Sequence, residues 1–367
     1  MHMLENSYTY MIYRNESEHI INVVEFANTV MIKKRYPFGE SIHSGAQDVI
    51  KQLKQSKSPL LLGIWGMTGI GKSTILNTIY VQIGPYFEDK CIIENVGEAW
   101  EKDNGQISLQ DKLLCYIDGA VEIKIPTVES GRVILRERLR HKRVLLLLDN
   151  VDKLEQLKAL CGNRDWFGPG SKIIIATRNI RLLKEHGVDH IHRVKELDES
   201  ESLELFNWNA FRQATSYKGF TELSKQIVAC CGGFPLALKE LGRYLHLRKE
   251  SAWEGVLRSL ERFSIPTPCV LDALEKSFSD LGDEQKKIFL DIACFFIGMS
   301  QNDVLQTLNR SKQCATLQIN CLEDKSFVTI ENNKLQMHVL LQAMARDIIK
   351  RESSNKMRQV SGNTYMI

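Results

Sequence analysis

Four stretches of this chain are almost continuously apolar, and each is only five or six residues long: Leu60–Trp65, Cys91–Val96, Val144–Leu148 and Lys172–Thr177. Runs that short, without polar alternation, fit strands buried on both faces. Between them lie segments in which apolar positions recur at helical spacing, as Ile75, Leu76, Ile79, Tyr80 and Ile83 do. Strand and amphipathic helix alternate from about 46 to 193, which predicts an α/β fold with a parallel sheet between helices.

Beyond residue 195 the strand signal stops and helices take over. Asp198 and Glu201 form a capping-box pair, and Leu203, Phe206 and Ala210 then share one face. Cys231-Gly232-Gly233-Phe234 breaks the series, and Pro235 restarts it near the first turn of a new helix carrying Leu236, Ala237 and Leu238. Ile265-Pro266-Thr267-Pro268 reads as a linker. A helical stretch around Ile288–Phe296 then precedes two alternating runs, Ser326–Ile330 and Lys334–His338, with Glu331-Asn332-Asn333 turning between them. Helices followed by a hairpin predict a winged-helix unit. The expected organisation is a short linker remnant at 1–45, an α/β domain at 46–193, a helical domain at 194–265, a winged-helix domain at 266–352 and a frayed polar tail at 353–367. The first segment carries one predicted helix, Glu16–Ile32, and a turn at Pro37–Gly39.

A length of 367 residues suits two or three domains, and 43% apolar with 25% charged residues is ordinary for a soluble globular chain. The net charge of +3 gives no reason to expect a polyanionic partner. The richest basic cluster, Arg136, Arg138, Arg140, Lys142 and Arg143, runs straight into a strand, as a solvated helix end would. Basic residues are sparse on the winged-helix unit, so it is read as packing on protein and DNA binding is not expected. No apolar stretch is long enough for a membrane span or a signal peptide, which points to the cytoplasm or nucleus. Nine cysteines without CxxC pairs suggest reduced thiols rather than zinc or disulfides.

The chemistry is concentrated after the first strand, where the chain reads Gly66-Met67-Thr68-Gly69-Ile70-Gly71-Lys72-Ser73-Thr74. This is a complete phosphate-binding loop in the strand–loop–helix setting the motif requires. Gly66, Gly69 and Gly71 let the backbone curl so that N–H groups gather around an anion at a helix N-terminus. Lys72 reaches the outer phosphates, and the Ser73 hydroxyl is placed to ligate magnesium. Met67, Ile70 and Thr74 complete the loop residues expected to bind nucleotide. Asp149, ending the Val144–Leu148 run, fits a Walker B acid that holds magnesium through a water. Lys72, Asp149 and the following Asn150 are the candidate catalytic positions. Arg178 follows the next strand and brings a permanent cation to the carboxyl edge of the sheet, where it could sense a terminal phosphate or simply cap a surface loop.

Taken together, these motifs resemble the NB-ARC switch of plant intracellular immune receptors of the Toll/interleukin-receptor-domain type. Besides the loop, the resemblance rests on Glu94-Asn95-Val96, the segment Lys142–Asp152, Phe167-Gly168-Pro169-Gly170-Ser171, Phe289-Leu290-Asp291-Ile292-Ala293-Cys294-Phe295-Phe296 and Met337-His338, in family order from about 13 to 352. It implies a P-loop NTPase that is closed with ADP, opened by exchange for ATP, and then oligomerised, with Mg2+ as companion ion. It also implies that Pro235 packs near the base and that His338 touches the ADP phosphate and ties the winged helix to the closed state.

The chain departs from the family at three places. Asn150 stands where the family usually has a second acid and cannot accept a proton, so slow hydrolysis is expected, at most a regulatory ATPase. Val339 stands where Asp usually follows Met-His, and the loss of a cap for a helix starting at Leu340 predicts a weakened ADP-closed state. Phe38-Gly39 and Phe234 replace the usual Val-Gly and Gly-Leu-Pro, which predicts an altered base pocket. No signalling-domain segment is recognised before position 13 and no leucine-rich-repeat period after 352. The expectation is a truncated paralogue, an incomplete gene model, or an adaptor that works with full-length receptors or by self-association. Two other readings stand beside the switch: a P-loop kinase or metabolic NTPase, for which no substrate acid or base is evident, and a degenerate interaction module. Intact Lys72, Ser73 and Asp149 speak against the second.

Overall fold

The computed structural model describes residues 40–54, 58–118, 125–262, 265, 267–308 and 312–362. The helix expected at Glu16–Ile32 and the turn at Pro37–Gly39 lie outside them. The α/β part begins with helix α1 (Glu40–Lys54), which spans the boundary placed at 45. Then follow β1 (Leu60–Trp65), α2 (Lys72–Ile83), β2 (Asp89–Ile93), α3 (Val96–Trp100), α4 (Gly105–Asp118), α5 (Val128–Leu139), β3 (Val144–Val151), α6 (Leu154–Leu160), β4 (Lys172–Thr177), α7 (Ile180–His186) and β5 (His190–Arg193). The strands form one sheet in the order β2-β3-β4-β1-β5, and every pairing is parallel. Because β1 sits between β4 and β5, successive strands lie on either side of it. The carboxyl end of β1 is therefore at the crevice where open parallel sheets bind ligands.

Burial explains why these strands read as unbroken apolar runs. Leu60, Leu62 and Ile64 face a core shared with α1 and α2, while Leu61 and Trp65 face the one filled from α4, α5, α6 and α7. Leu145 and Leu147 against Leu146 and Leu148, and Ile174 against Ile173 and Ile175, divide in the same way. Three strands differ from expectation, β3 by running on from Leu148 to Val151. β2 ends at Ile93 rather than Val96, since Asn95 takes a left-handed conformation (φ 52°) that leaves the ladder and caps α3. β5 carries the sequence His-Ile-His-Arg, a short edge strand with half-buried or exposed side chains and no apolar run to announce it.

The helical part comprises α8 (Glu199–Phe211), α9 (Thr221–Cys230), α10 (Pro235–Leu245) and α11 (Glu250–Glu261). Asp198 and Glu201 form the expected reciprocal cap of α8, and Pro235 opens α10. Trp253 organises this core, stacked on Phe211 at 5.3 Å and edge-on to Phe206 at 5.6 Å. The last part holds α12 (Pro268–Ser279), α13 (Asp283–Asp291), α14 (Gln301–Thr307), α15 (Lys312–Asp324), β6 (Thr329–Glu331), β7 (Lys334–Gln336) and α16 (Val339–Gly362). The helix expected through Phe296 widens after α13 into a π-turn at Ile292–Phe296. The hairpin forms but is shorter than the alternating runs, and Asn332 and Asn333, at φ 50° and 61°, make its turn. The tail expected from 353 instead continues α16 to Gly362. Neither Gly nor Pro occurs between 339 and 361 to stop it, and Asp347 pairs with Arg351 one turn on.

One continuous core joins these parts: Ile70 and Val194, Phe234 and Leu241, Phe289 and Met337 all belong to the same buried cluster. Among the described residues no helix is long and apolar enough to cross a membrane.

Gly63 lets β1 lie against α7, because a Cβ there would fall 2.5 Å and 2.9 Å from the two methyls of Leu183, itself fully buried. Gly63→Ala should therefore lower stability by about 1–3 kcal/mol through overpacking. Urea unfolding of the two proteins measures it.

Candidate functional site

The loop expected to bind phosphate joins the carboxyl end of β1 to the first turn of α2. Gly69 and Gly71 both have positive φ, 85° and 108°, and Gly71 is the residue that caps α2. At Gly69 a side chain is excluded by more than conformation, since a Cβ would come within 2.9 Å of the Phe234 ring and 3.0 Å of Leu236. The loop is thus held against the first turn of α10, which Pro235 begins. At Gly71 the same Cβ would meet nothing within 4 Å, so the loop is open there. An open glycine curl before a helix N-terminus fits a phosphate group.

Lys72 donates to the carbonyl oxygens of Gly66 (2.8 Å) and Met67 (2.7 Å). Burial pushes its pKa down from 10.5 to about 8, opposed by the Asp149 carboxylate and reinforced by the Arg178 cation. Asp149 is 6% exposed, and burial raises its pKa against the opposing effects of the Ser73 hydroxyl, Lys72 and the Asn150 backbone. The Ser73 hydroxyl therefore lies near enough to Asp149 to favour its carboxylate, and the two groups together fit a small hard cation shared with phosphate oxygens. The position of Asp149 is set by an irregularity in β3. The pairing with β4 shifts register between Leu148 and Val151, and Asn150 is left-handed at φ 56°. Such bulges redirect a side chain at a strand end.

Arg178 leaves the end of β4 and turns towards the last part of the chain. It donates to the Asp280 carboxylate at 2.7 Å and to the Ser277 hydroxyl at 3.2 Å. Thr68, from the phosphate loop, reaches the same Ser277 hydroxyl at 2.7 Å. The indole N–H of Trp65 is shared between the carbonyls of Arg178 (3.2 Å) and Asp324 (3.1 Å), which ties the end of β1 to α15. Two cavities flank the loop. One of about 190 Å³ is lined by Ile70, Gly71, Ile75 and the stretch His192–Leu197. The other, about 100 Å³, lies between Gly66, Met67, Ile70 and His338.

Residues 43–216 match the model of the NB-ARC domain, and residues 282–354 that of the winged-helix domain of Roq1-like disease resistance proteins. The chain carries an NB-ARC domain, followed by a winged-helix domain of the Roq1-like kind. It is 36% identical over 311 residues to disease resistance protein RUN1 of Vitis rotundifolia, covering 84% of this chain and 23% of that protein. With disease resistance protein RPV1 of the same species it shares 34% over 356 residues, or 95% of this chain and 25% of that one. It thus spans about a quarter of the length of these curated relatives. Among solved structures, the Walker-type ATPase of Pyrococcus abyssi shares the fold at a TM-score of 0.58 and 13% identity, over 84% of this chain and 96% of that one.

In the NB-ARC domain the expected residues from Gly66 to Thr74, with Asp149, Asn150 and Arg178, gather at the carboxyl edge of the sheet, and Pro235 and His338 approach from the following parts. His338 departs from what the sequence implied about its neighbour. Its Nε2 lies 3.0 Å from the Gly232 carbonyl, and its Nδ1 accepts from the Leu340 N–H at 3.2 Å. The helix begins at Val339, so the cap is His338, and the loss of a cap expected at Val339 does not arise. Val339 packs instead on Gly232, where a Cβ would fall 2.8 Å from its methyl. Phe234 is fully buried with its ring centroid 5.3 Å from that of His338, so the altered residue of the Gly-Leu-Pro motif fills core between the helical and winged-helix parts. Phe38-Gly39 lies outside the described residues.

Sequence reasoning missed Thr68, Ser277 and Asp280. Thr68 occupies a free position of the loop motif. Ser277 did leave a signal, as a polar residue on the buried stripe Val270, Leu274, Ser277 of α12.

Two pH effects follow. Phosphate recognition needs the Lys72 ammonium, so ADP affinity should fall above about pH 8, far below the ordinary lysine value of 10.5. The fall should approach tenfold per pH unit. A fluorescence titration with labelled ADP checks it, and a flat response to pH 10 would contradict it. Stability has the opposite sign for this group: between about 8 and 10.5 the folded chain sheds a proton that the unfolded chain keeps, so the burial penalty fades as pH rises.

Burial lowers the pKa of His338, and its Nδ1 must stay unprotonated to accept from Leu340. As pH falls below 6.5, the unfolded chain takes up the proton first, so this contribution to stability is lost on the acid side. Faster amide exchange at the start of α16 below that pH, abolished by His338→Asn, is the expected result.

Proposed function

We propose that this chain is an ADP/ATP-operated switch of plant defence signalling, in which exchange of nucleotide rearranges the domains and hydrolysis is slow. The observation that carries the reading is that Thr68 of the phosphate loop and Arg178 of the sheet edge both bond to α12, at Ser277. Whatever binds at the loop must then act on the contacts that hold the following domains. The curated relatives are named disease resistance proteins, which supports placing the switch in defence.

On this reading the loop amides and Lys72 would hold the phosphates, and Ser73 with Asp149 would hold Mg2+. Mg-nucleotide supplies the concentrated negative charge that distinguishes the two states. Arg178 would report a terminal phosphate, Pro235 would pack near the base, and His338 would fasten α16 to the helical domain in the closed state. Asn150 can orient a water but cannot take its proton, which limits turnover. Its partners would be nucleotide and either full-length receptors or further copies of itself, inside the cell in cytoplasm or nucleus.

Denaturing the purified protein and identifying the released nucleotide tests the reading. ADP from wild type and none from Lys72→Ala is expected, and no nucleotide from either would overturn it. ATP turnover should be slow in wild type and rise by about 10² or more in Asn150→Asp, which restores a base. Fast turnover by wild type would remove the slow-hydrolysis part.

A further inference from the structure

Ser277 is 8% exposed, yet its hydroxyl serves three partners at once: Thr68 Oγ1 at 2.7 Å, Arg178 Nη1 at 3.2 Å and the Ala273 carbonyl at 3.3 Å. Only one assignment of protons satisfies all of them. Arg178 can only donate, so the Ser277 oxygen accepts from it. The Ala273 carbonyl can only accept, so it takes the single Ser277 proton. Thr68 must then donate to Ser277, which leaves that hydroxyl fully used, with two bonds accepted and one given.

The neighbouring ion pairs are of a different kind. Lys276 pairs with Glu98 at 2.6 Å, and Arg178 with Asp280 at 2.7 Å, but Glu98, Lys276 and Asp280 each keep half or more of their side-chain surface in water. Exposed pairs of this sort contribute little and exchange partners readily. The buried hydroxyl is the element with a fixed geometry. The helix that carries it also packs on α10 and α16, so its position is felt in both following domains.

We propose that Ser277 is the positioning residue that couples the nucleotide site to the winged-helix part: a terminal phosphate that draws Arg178 from Asp280 also removes its bond to Ser277 and leaves α12 tied to the loop by Thr68 alone. The inference deepens the switch reading and rests on it. A phosphate carries more charge than the half-exposed Asp280 carboxylate and forms stronger charge-assisted bonds with a guanidinium. Once Arg178 has turned, the Thr68 hydroxyl is the remaining bond from the loop to Ser277. A single neutral hydrogen bond is a weak tether.

The test uses the full chain with Ser277→Ala, Thr68→Val, the double variant and Thr68→Ser. Two quantities are read: the release rate of a fluorescent ADP and the amide exchange of α12. Each single variant should speed release about five- to tenfold and raise exchange in α12. The double variant should be no worse than Ser277→Ala alone, since that substitution already removes the bond that Thr68→Val removes. Thr68→Ser, which keeps the hydroxyl, should behave as wild type. Additive effects, failure of Thr68→Ser to restore the wild-type rate, or unchanged release and exchange in Ser277→Ala would each overturn the proposal. Should wild type bind no ADP, the switch reading falls by that result. The coupling is then decided by exchange alone, and unchanged α12 exchange in Ser277→Ala refutes it.

Discussion

An ammonium taken out of water needs close partners, because an unpaired buried charge costs several kcal/mol. Lys72, half-buried at the end of the loop, is close to that position, and much of the surrounding architecture can be understood as its accommodation. Two loop carbonyls accept from it and Asp149 offsets its charge, while Asp149 is itself steadied by Ser73. The carbonyls face the ammonium because the glycines at 69 and 71 bend the chain into a conformation that other residues rarely adopt. Gly69 is tight against Phe234 and Leu236, which passes the constraint into the helical domain. The parallel sheet brings Asp149 and Arg178 to the same edge from strands far apart in sequence.

Much of this was legible beforehand because its physics is local. The loop motif and the continuous apolar strands follow from residue type and spacing, and so does the Asp198 cap. What escaped depends on partners distant in sequence. Nothing in His190–Arg193 marks it as a strand, since an edge strand is defined by the neighbour it pairs with. A helix starting at Leu340 makes Val339 the cap, but the helix starts one residue earlier. Only the three-dimensional register shows that the imidazole of His338 does the capping. Thr68, Ser277 and Arg178 are separated by more than two hundred residues at the extreme, and no periodicity connects them.

His338 and Arg178 divide the contacts between the parts into two kinds. Around His338, Phe234 and Met337 the contact is largely apolar and continuous with the core. Around Arg178, Ser277 and Asp280 it is polar and close to the phosphate loop. Apolar contact holds the parts together without regard to what occupies the loop, whereas the polar contact is of the sort an anion can disturb. A switch needs both, since the first supplies stability and the second supplies sensitivity.

Trp65 adds a property of another kind. Its one N–H is shared between a carbonyl of its own domain, Arg178, and one from the winged-helix part, Asp324. If α15 moves away, the indole keeps the first acceptor and the Asp324 carbonyl gains access to water. Neither group is left stranded, so separation at this point requires no buried polar atom to lose its only partner. At this contact, opening would break no bond without a replacement, and closing would only restore the shared one.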